Sequence, residues 1–130
     1  MFESVTRQIR VRVEPQFLNS RSDPAEHNFV WAYTVEITNM SEAQVQLLSR
    51  EWYIIDGTGE TSVVAGEGVV GEQPMLAPDD SYVYTSGVPL ATPSGIMYGS
   101  YRMVGEDGVS FEIDIPKFSL DSPFANQQVN

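Results

Sequence analysis

The sequence predicts an all-β fold, an immunoglobulin-like or fibronectin type III-like antiparallel sandwich of about seven strands. Three observations carry this. Seven segments alternate apolar and polar residues with period two, the side-chain period of a half-buried strand. The gaps between them are rich in Gly, Pro, Asn and Asp. No window of the 130 residues sustains a helical apolar stripe. A small barrel is the alternative. The chain has no cysteine, so the Cys-Trp-Cys spacing of immunoglobulin domains is missing and the fibronectin variant fits better.

In the first segment Val5, Ile9, Val11 and Val13 share one face, and Ser4, Thr6, Gln8, Arg10 and Arg12 the other. In the second, Phe29, Trp31, Tyr33, Val35 and Ile37 face inward against Asn28, Thr34, Glu36 and Thr38. The third, Gln44 to Asp56, is apolar on both faces and reads as a central strand. Shorter strands are expected at Thr61–Ala65, Ser81–Gly87 and Gly95–Val104, and a last one from Val109 to Ile115. Asp56-Gly57-Thr58-Gly59 and Glu106-Asp107-Gly108 are hairpin signals, because glycine supplies the positive φ that tight turns require. Pro74, Pro78, Pro89 and Pro93 are placed between segments, where a missing N–H costs no ladder bond. After Pro116 the alternation fades, with Phe118 and Leu120 covering one end of the core. Residues 1–120 are expected to form one domain, and 121–130 a polar, flexible tail.

Composition narrows the function classes. Without cysteine there are no disulfides, thiolate metal sites or thiol catalysis, which suits a reducing, cytoplasmic setting. The N-terminus carries Glu3, Arg7, Arg10 and Arg12 and does not read as a secretory signal, and no stretch is apolar enough to span a membrane. A net charge of −11 opposes nucleic-acid binding, which draws its affinity from Lys and Arg on phosphates. Arg7, Arg10 and Arg12 form a local basic strip, read here as a solvated strand face.

Gly66-Glu67-Gly68-Val69-Val70-Gly71 spells G-x-G-x-x-G, a spacing that lets backbone N–H groups approach a pyrophosphate. The helix this motif needs does not follow, since Pro74 and Pro78 come next, so the strings read first as a glycine-rich loop or bulge. A backbone nest could still cradle a phosphate. Gly66, Gly68 and Gly71 are therefore candidate anion-binding positions, joined by Arg50. Period two puts Arg50 on one face with Leu48, Trp52 and Ile54, where a guanidinium wants a carbonyl, carboxylate, phosphate or aromatic partner. His27 is the only histidine and reads as a surface residue. Asp79-Asp80 and Glu106-Asp107 read as turn residues outside calcium-loop register. No metal ligands, catalytic residues or cofactor site are assigned, for no nucleophile–base pair is visible.

A longer pattern runs through Gln46-Leu47-Leu48-Ser49-Arg50-Glu51-Trp52, Val64 to Pro74, Tyr84-Thr85-Ser86-Gly87, Thr92 to Gly99 and Asp114 to Leu120. Together these strings resemble the bacterial ApaG family, also called CorD in some enterobacteria, from about Val5 to Leu120. One departure is Pro78-Asp79, where the family usually has Pro-Gly, so a turn of another type is expected there. The resemblance implies a fibronectin III-like sandwich without an established enzymatic activity. Similar domains occur as modules in eukaryotic F-box and polymerase-interacting proteins, which implies protein–protein binding. It also implies a genetic association with cobalt and magnesium efflux and with diadenosine-tetraphosphate hydrolase genes. The expected function is thus a non-enzymatic module for an unknown protein partner. The alternative is a binder of pyrophosphate or a nucleotide through Gly66–Gly71 with Arg50, and a divalent-metal effector comes third.

Overall fold

The computed structural model describes residues 1–125. They form nine strands: β1 (Phe2–Thr6), β2 (Ile9–Phe17), β3 (Phe29–Asn39), β4 (Val45–Asp56), β5 (Thr61–Glu67), β6 (Met75–Leu76), β7 (Ser81–Leu90), β8 (Gly95–Gly105) and β9 (Ser110–Leu120). Two short 3₁₀ turns, Asn19–Arg21 and Pro24–Glu26, sit between β2 and β3. One antiparallel sheet has the order β1-β2-β3-β7, and the other β5-β4-β8-β9 with β6 paired to β4. This is the two-sheet antiparallel class that the alternation predicts. The inward faces meet in a core that fully buries Trp31, Trp52, Tyr101 and Phe118. Among the described residues no helix is long and apolar enough to cross a membrane.

The strand count exceeds seven because the first segment is a hairpin. Arg7 and Gln8 both take positive φ, 52° and 64°, and form a two-residue turn that pairs Thr6 with Ile9. Both residues of a pair face the same side, so even residues point inward on β1 and odd ones on β2. Val5 therefore lies on the outer face, 53% exposed, and not with Ile9, Val11 and Val13. On β4 an extra residue at the bulge between Leu47 and Ser49 reverses the inward parity, from Val45 and Leu47 to Trp52. That reversal is why the segment reads as apolar on both faces.

The last strand does not fade at Pro116. Three steps of β9, from Ile115 to Phe118, oppose two steps of β8, from Met97 to Gly99. Pro116 falls inside this bulge on an edge strand, where its missing N–H is tolerated. Phe118 and Leu120 are consequently core residues of the strand itself. Of the tail expected over 121–130, residues 121–125 are docked. The Asp121 carbonyl accepts from Trp31 Nε1 at 2.8 Å, Ser122 Oγ donates to the Pro93 carbonyl at 2.6 Å, and Phe124 packs edge-on to Phe17. The remainder, 126–130, lies outside the described residues.

Asn39 is the buried polar residue that the alternation does not reveal. Its Nδ2 donates to the carbonyls of Ala43 (2.8 Å) and Leu76 (3.0 Å), and its Oδ1 accepts from the N–H (3.0 Å) and hydroxyl (2.6 Å) of Ser41. The amide is fully satisfied and ties the end of β3 to the next loop and to β6.

Two stability predictions follow from these contacts. The Pro78-Asp79 turn closes with Asp80 N–H donating to the Ala77 carbonyl at 3.0 Å, and Asp79 has φ 71°. A positive φ at the third residue of a turn, directly after a proline, is the type II arrangement that glycine favours, so the turn keeps that geometry despite the aspartate. Asp79→Gly should raise stability by about 0.5–1 kcal/mol, read as a higher urea midpoint. The second concerns the inner-face hydroxyls of Tyr84 and Tyr101, which hydrogen-bond to each other. Burial pushes both phenols well above their ordinary range. Below pH about 10 both states are neutral; above it the unfolded chain ionises first, so stability should fall as pH rises. Ultraviolet titration should show these two phenols ionising only as the protein unfolds. Tyr84→Phe should cost about 1–2 kcal/mol by stranding Tyr101, and the double phenylalanine variant less than the sum of the singles.

Candidate functional site

The sequence candidates do come together at the end of β5. Gly66 on β5 pairs with Arg50 on β4, and Arg50 pairs on its other side with Tyr101 of β8. The guanidinium lies directly over Gly66, where a Cβ would stand 3.1 Å from Nη1. From there Nη1 donates to the carbonyl of Glu67 at 3.0 Å and to that of Gly68 at 2.9 Å. Arg50 thus finds the carbonyl partners a half-buried guanidinium needs.

The loop's amides are used in a different way from a phosphate nest. Gly68 N–H donates to the Leu48 carbonyl at 2.8 Å. Val69 and Glu72 exchange N–H···O bonds of 2.8 and 3.0 Å around a two-residue turn whose centre is Val70 and Gly71, φ 50° and 80°. Gly68 has φ 65°, and a Cβ there would meet the Glu72 carbonyl oxygen at 2.3 Å. Each glycine of the motif therefore answers a local demand: Gly66 makes room for Arg50, Gly68 for Glu72, and Gly71 completes the turn. What the loop presents to Arg50 is carbonyl oxygen, the polarity opposite to that of an anion cradle.

On the outer face beside this loop, a concavity of about 380 Å³ is lined by Ser49, Glu51, Ala65, Glu67, Arg102 and Glu112, among others. Arg102 is paired with Glu112 at 3.0 Å. Further along the same face runs an apolar row. Val63 of β5, Tyr53 of β4 and Tyr98 of β8 are cross-strand neighbours, and the two tyrosine rings stack at 5.1 Å with 12° between planes. Lys117 Nζ lies 5.2 Å from the Tyr98 ring centre, within cation–π range. On this face Val63 is 58% exposed and Ile96 38%; Val64, on the opposite face, is 43% exposed. Period two does not mark these tyrosines in the sequence, because it cannot tell a buried face from an open one.

The other candidates are scattered. His27 is exposed and closes the second 3₁₀ turn with φ 54°. Arg12 pairs with Glu3 at 2.8 Å and Arg10 with Glu36 at 3.7 Å, so glutamates neutralise two of the three arginines of the basic strip. Among the described residues no three His, Asp or Glu side chains assemble as a metal site. A larger concavity of about 580 Å³ at one end of the sandwich holds Arg7, Glu106, Asp107 and Phe111. Its polar groups are committed internally: Glu106 Oε1 accepts from Gln44 N–H, Asp107 Oδ1 from Val109 N–H, and Arg7 sits 4.5 Å over Phe111.

Arg50→Ala should lower stability by about 1–2 kcal/mol, since two carbonyls then have only water as a partner. Arg50→Lys should recover only part of the loss, because an ammonium still donates but lacks the planar guanidinium that sets Nη1 between both oxygens. Urea unfolding with an unchanged slope reads both; an alanine variant as stable as the parent would mean that the two bonds have no net weight.

Comparison with known proteins agrees with this architecture. Residues 19–105 match the model of the ApaG domain. Protein ApaG of Afipia carboxidovorans is 55% identical over 130 residues, covering the whole of both chains, and Protein ApaG of Mesorhizobium japonicum is likewise 55% identical over the full length. The crystal structure of a Bordetella pertussis protein named ApaA superposes with a TM-score of 0.86 at 47% identity, covering 88% of this chain and 94% of that one. The chain belongs to the ApaG domain family.

Proposed function

We propose that the protein is a non-enzymatic binding module that engages another protein through the outer face of the β5-β4-β8-β9 sheet. The observation that carries this reading is the apolar row Val63–Tyr53–Tyr98 with Ile96 beside it, left open on a molecule of net charge −11. Rigid aromatic side chains bury much area at low entropic cost, which is why they anchor interfaces. A flanking concavity lined by Glu51, Glu67 and the Arg102–Glu112 pair supplies a polar rim.

The anion reading, pyrophosphate or a nucleotide at Gly66, Gly68, Gly71 and Arg50, competes with bonds within the fold: the Gly68 N–H is held by the Leu48 carbonyl, and Arg50 Nη1 by the carbonyls of Glu67 and Gly68. Titration with pyrophosphate distinguishes the two: saturable amide shifts confined to residues 66–71 would favour the anion. For the binding module, peptides selected from a displayed random library against the intact chain should shift the amides of Tyr53, Val63, Ile96 and Tyr98. Tyr98→Ala should weaken them by about tenfold or more, as expected of an interface anchor, with far-ultraviolet circular dichroism unchanged. Selected peptides that map elsewhere, and bind Tyr98→Ala as well as the parent, would refute the assignment of this face.

A further inference from the structure

The β5 edge carries an inference that rests on the binding-module reading and deepens it. β5 is the end strand of its sheet and hydrogen-bonds only to β4. The phase of that ladder is fixed at both ends: Asp56 N–H donates to the Glu60 carbonyl at 3.0 Å, and Gly68 N–H to the Leu48 carbonyl at 2.8 Å. Even-numbered residues between them therefore turn their N–H and C=O groups toward β4. Odd-numbered ones, Thr61, Val63, Ala65 and Glu67, turn theirs outward. Of these outward groups the Glu67 carbonyl is taken by Arg50.

Edge strands of natural proteins are blunted by lysine, proline, bulges or a covering segment. Within Thr61–Glu67, TSVVAGE, there is no lysine, arginine or proline, and the register to β4 runs without a break from Thr61 to Glu67. Both side-chain rows near the edge are apolar and exposed, with Val63 and Ala65 outward and Val64 on the opposite face. From Thr61 to Ala65 nothing in the strand opposes pairing with another extended chain; Gly66 and the charged Glu67 end that run.

Charge selects the occupant. Glu51, Glu60 and Glu67 flank the edge, and none of them is in an ion pair among the described residues. The guanidinium of Arg50 is turned onto backbone carbonyls and that of Arg102 onto Glu112, so neither offsets these carboxylates. A second copy of this chain would bring the same glutamates and another −11 to the contact. We propose that β5 is an open strand-addition site that takes an extended, basic segment of another protein. Its backbone pairs with Thr61, Val63 and Ala65, its apolar side chains lie on Val63 and Val64, and a lysine or arginine enters the concavity between Glu51 and Glu67.

The test is an amide NMR titration of the full chain with blocked seven-residue peptides. One alternates lysine with valine, one alternates glutamate with valine, and one is the lysine peptide N-methylated at alternate residues. The lysine peptide should give saturable shifts at Thr61, Val63, Ala65 and Glu67. Glutamate replacement, N-methylation and Ala65→Pro should each weaken it by about tenfold or more. Ala65→Pro removes an N–H that the β4 ladder does not use, and the N-methylated peptide asks the same question without altering the protein. Equal binding of the N-methylated peptide would overturn strand addition while leaving side-chain docking on Tyr53 and Tyr98 intact. Equal binding of the glutamate peptide would overturn the choice of a basic partner. A dimer in sedimentation that Ala65→Pro dissociates would make a second copy the occupant and also overturn it. Silence at both β5 and the tyrosine row, with every peptide, would remove the binding-module reading itself.

Discussion

A sandwich of two open sheets has four edges, and the unpaired backbone groups along them must be satisfied, covered or left for a partner. Here β1 and β9 close one side together. Ser4 Oγ donates to the Asp114 carbonyl at 2.8 Å, and the Asp114 N–H donates to Thr6 Oγ1 at 3.1 Å, so two hydroxyls do what a missing strand would. The pair works because the Arg7-Gln8 turn sets even residues of β1 inward, which points Ser4 and Thr6 at the neighbouring edge. β7 carries Gly87 and Pro89, residues unsuited to extending a ladder. β5 has no proline, and its one glycine, Gly66, comes after the run from Thr61 to Ala65.

Most of the fold was legible because its physics is local. Phe29 to Ile37 alternates cleanly, and every residue assigned inward there is buried. The misses are places where one residue changes parity without a recognisable signal. Arg7 and Gln8 form a turn that calls for positive φ, yet neither is Gly, Asn or Asp, so β1 and β2 read as one strand. The bulge at Leu48 likewise leaves no mark except a segment that looks apolar on both sides. Pro116 misleads in the other direction, because a proline normally ends a strand and here occupies a bulge on an edge.

The candidate site was legible in its members and not in its polarity. Spacing singles out Gly66, Gly68, Gly71 and Arg50; Gly66 and Gly68 meet Arg50, and Gly71 stands apart in the turn. A sequence cannot state which backbone groups already have partners, and that decides whether a glycine loop offers N–H or C=O to its surroundings. Nor does it show which strands end a sheet. Thr61–Ala65 reads as a strand without a place in the sheet, and the topology leaves it at the rim with Val63 and Val64 exposed.

The two observations have one physical origin. Arg50 lies on the inner row of β4, beside the buried phenols of Tyr84 and Tyr101, and a cation placed there without acceptors would be expensive. The chain supplies acceptors by curling the end of β5 back so that the carbonyls of Glu67 and Gly68 reach the guanidinium, and that curl needs Gly66 and Gly68. The same contact turns the guanidinium onto neutral carbonyls and not onto the carboxylates of Glu51 or Glu67. Satisfying Arg50 from the backbone therefore anchors one end of β5, while the residues before it stay extended, paired to β4 on one side and open on the other. The glycine motif, on this view, shapes the edge beside it.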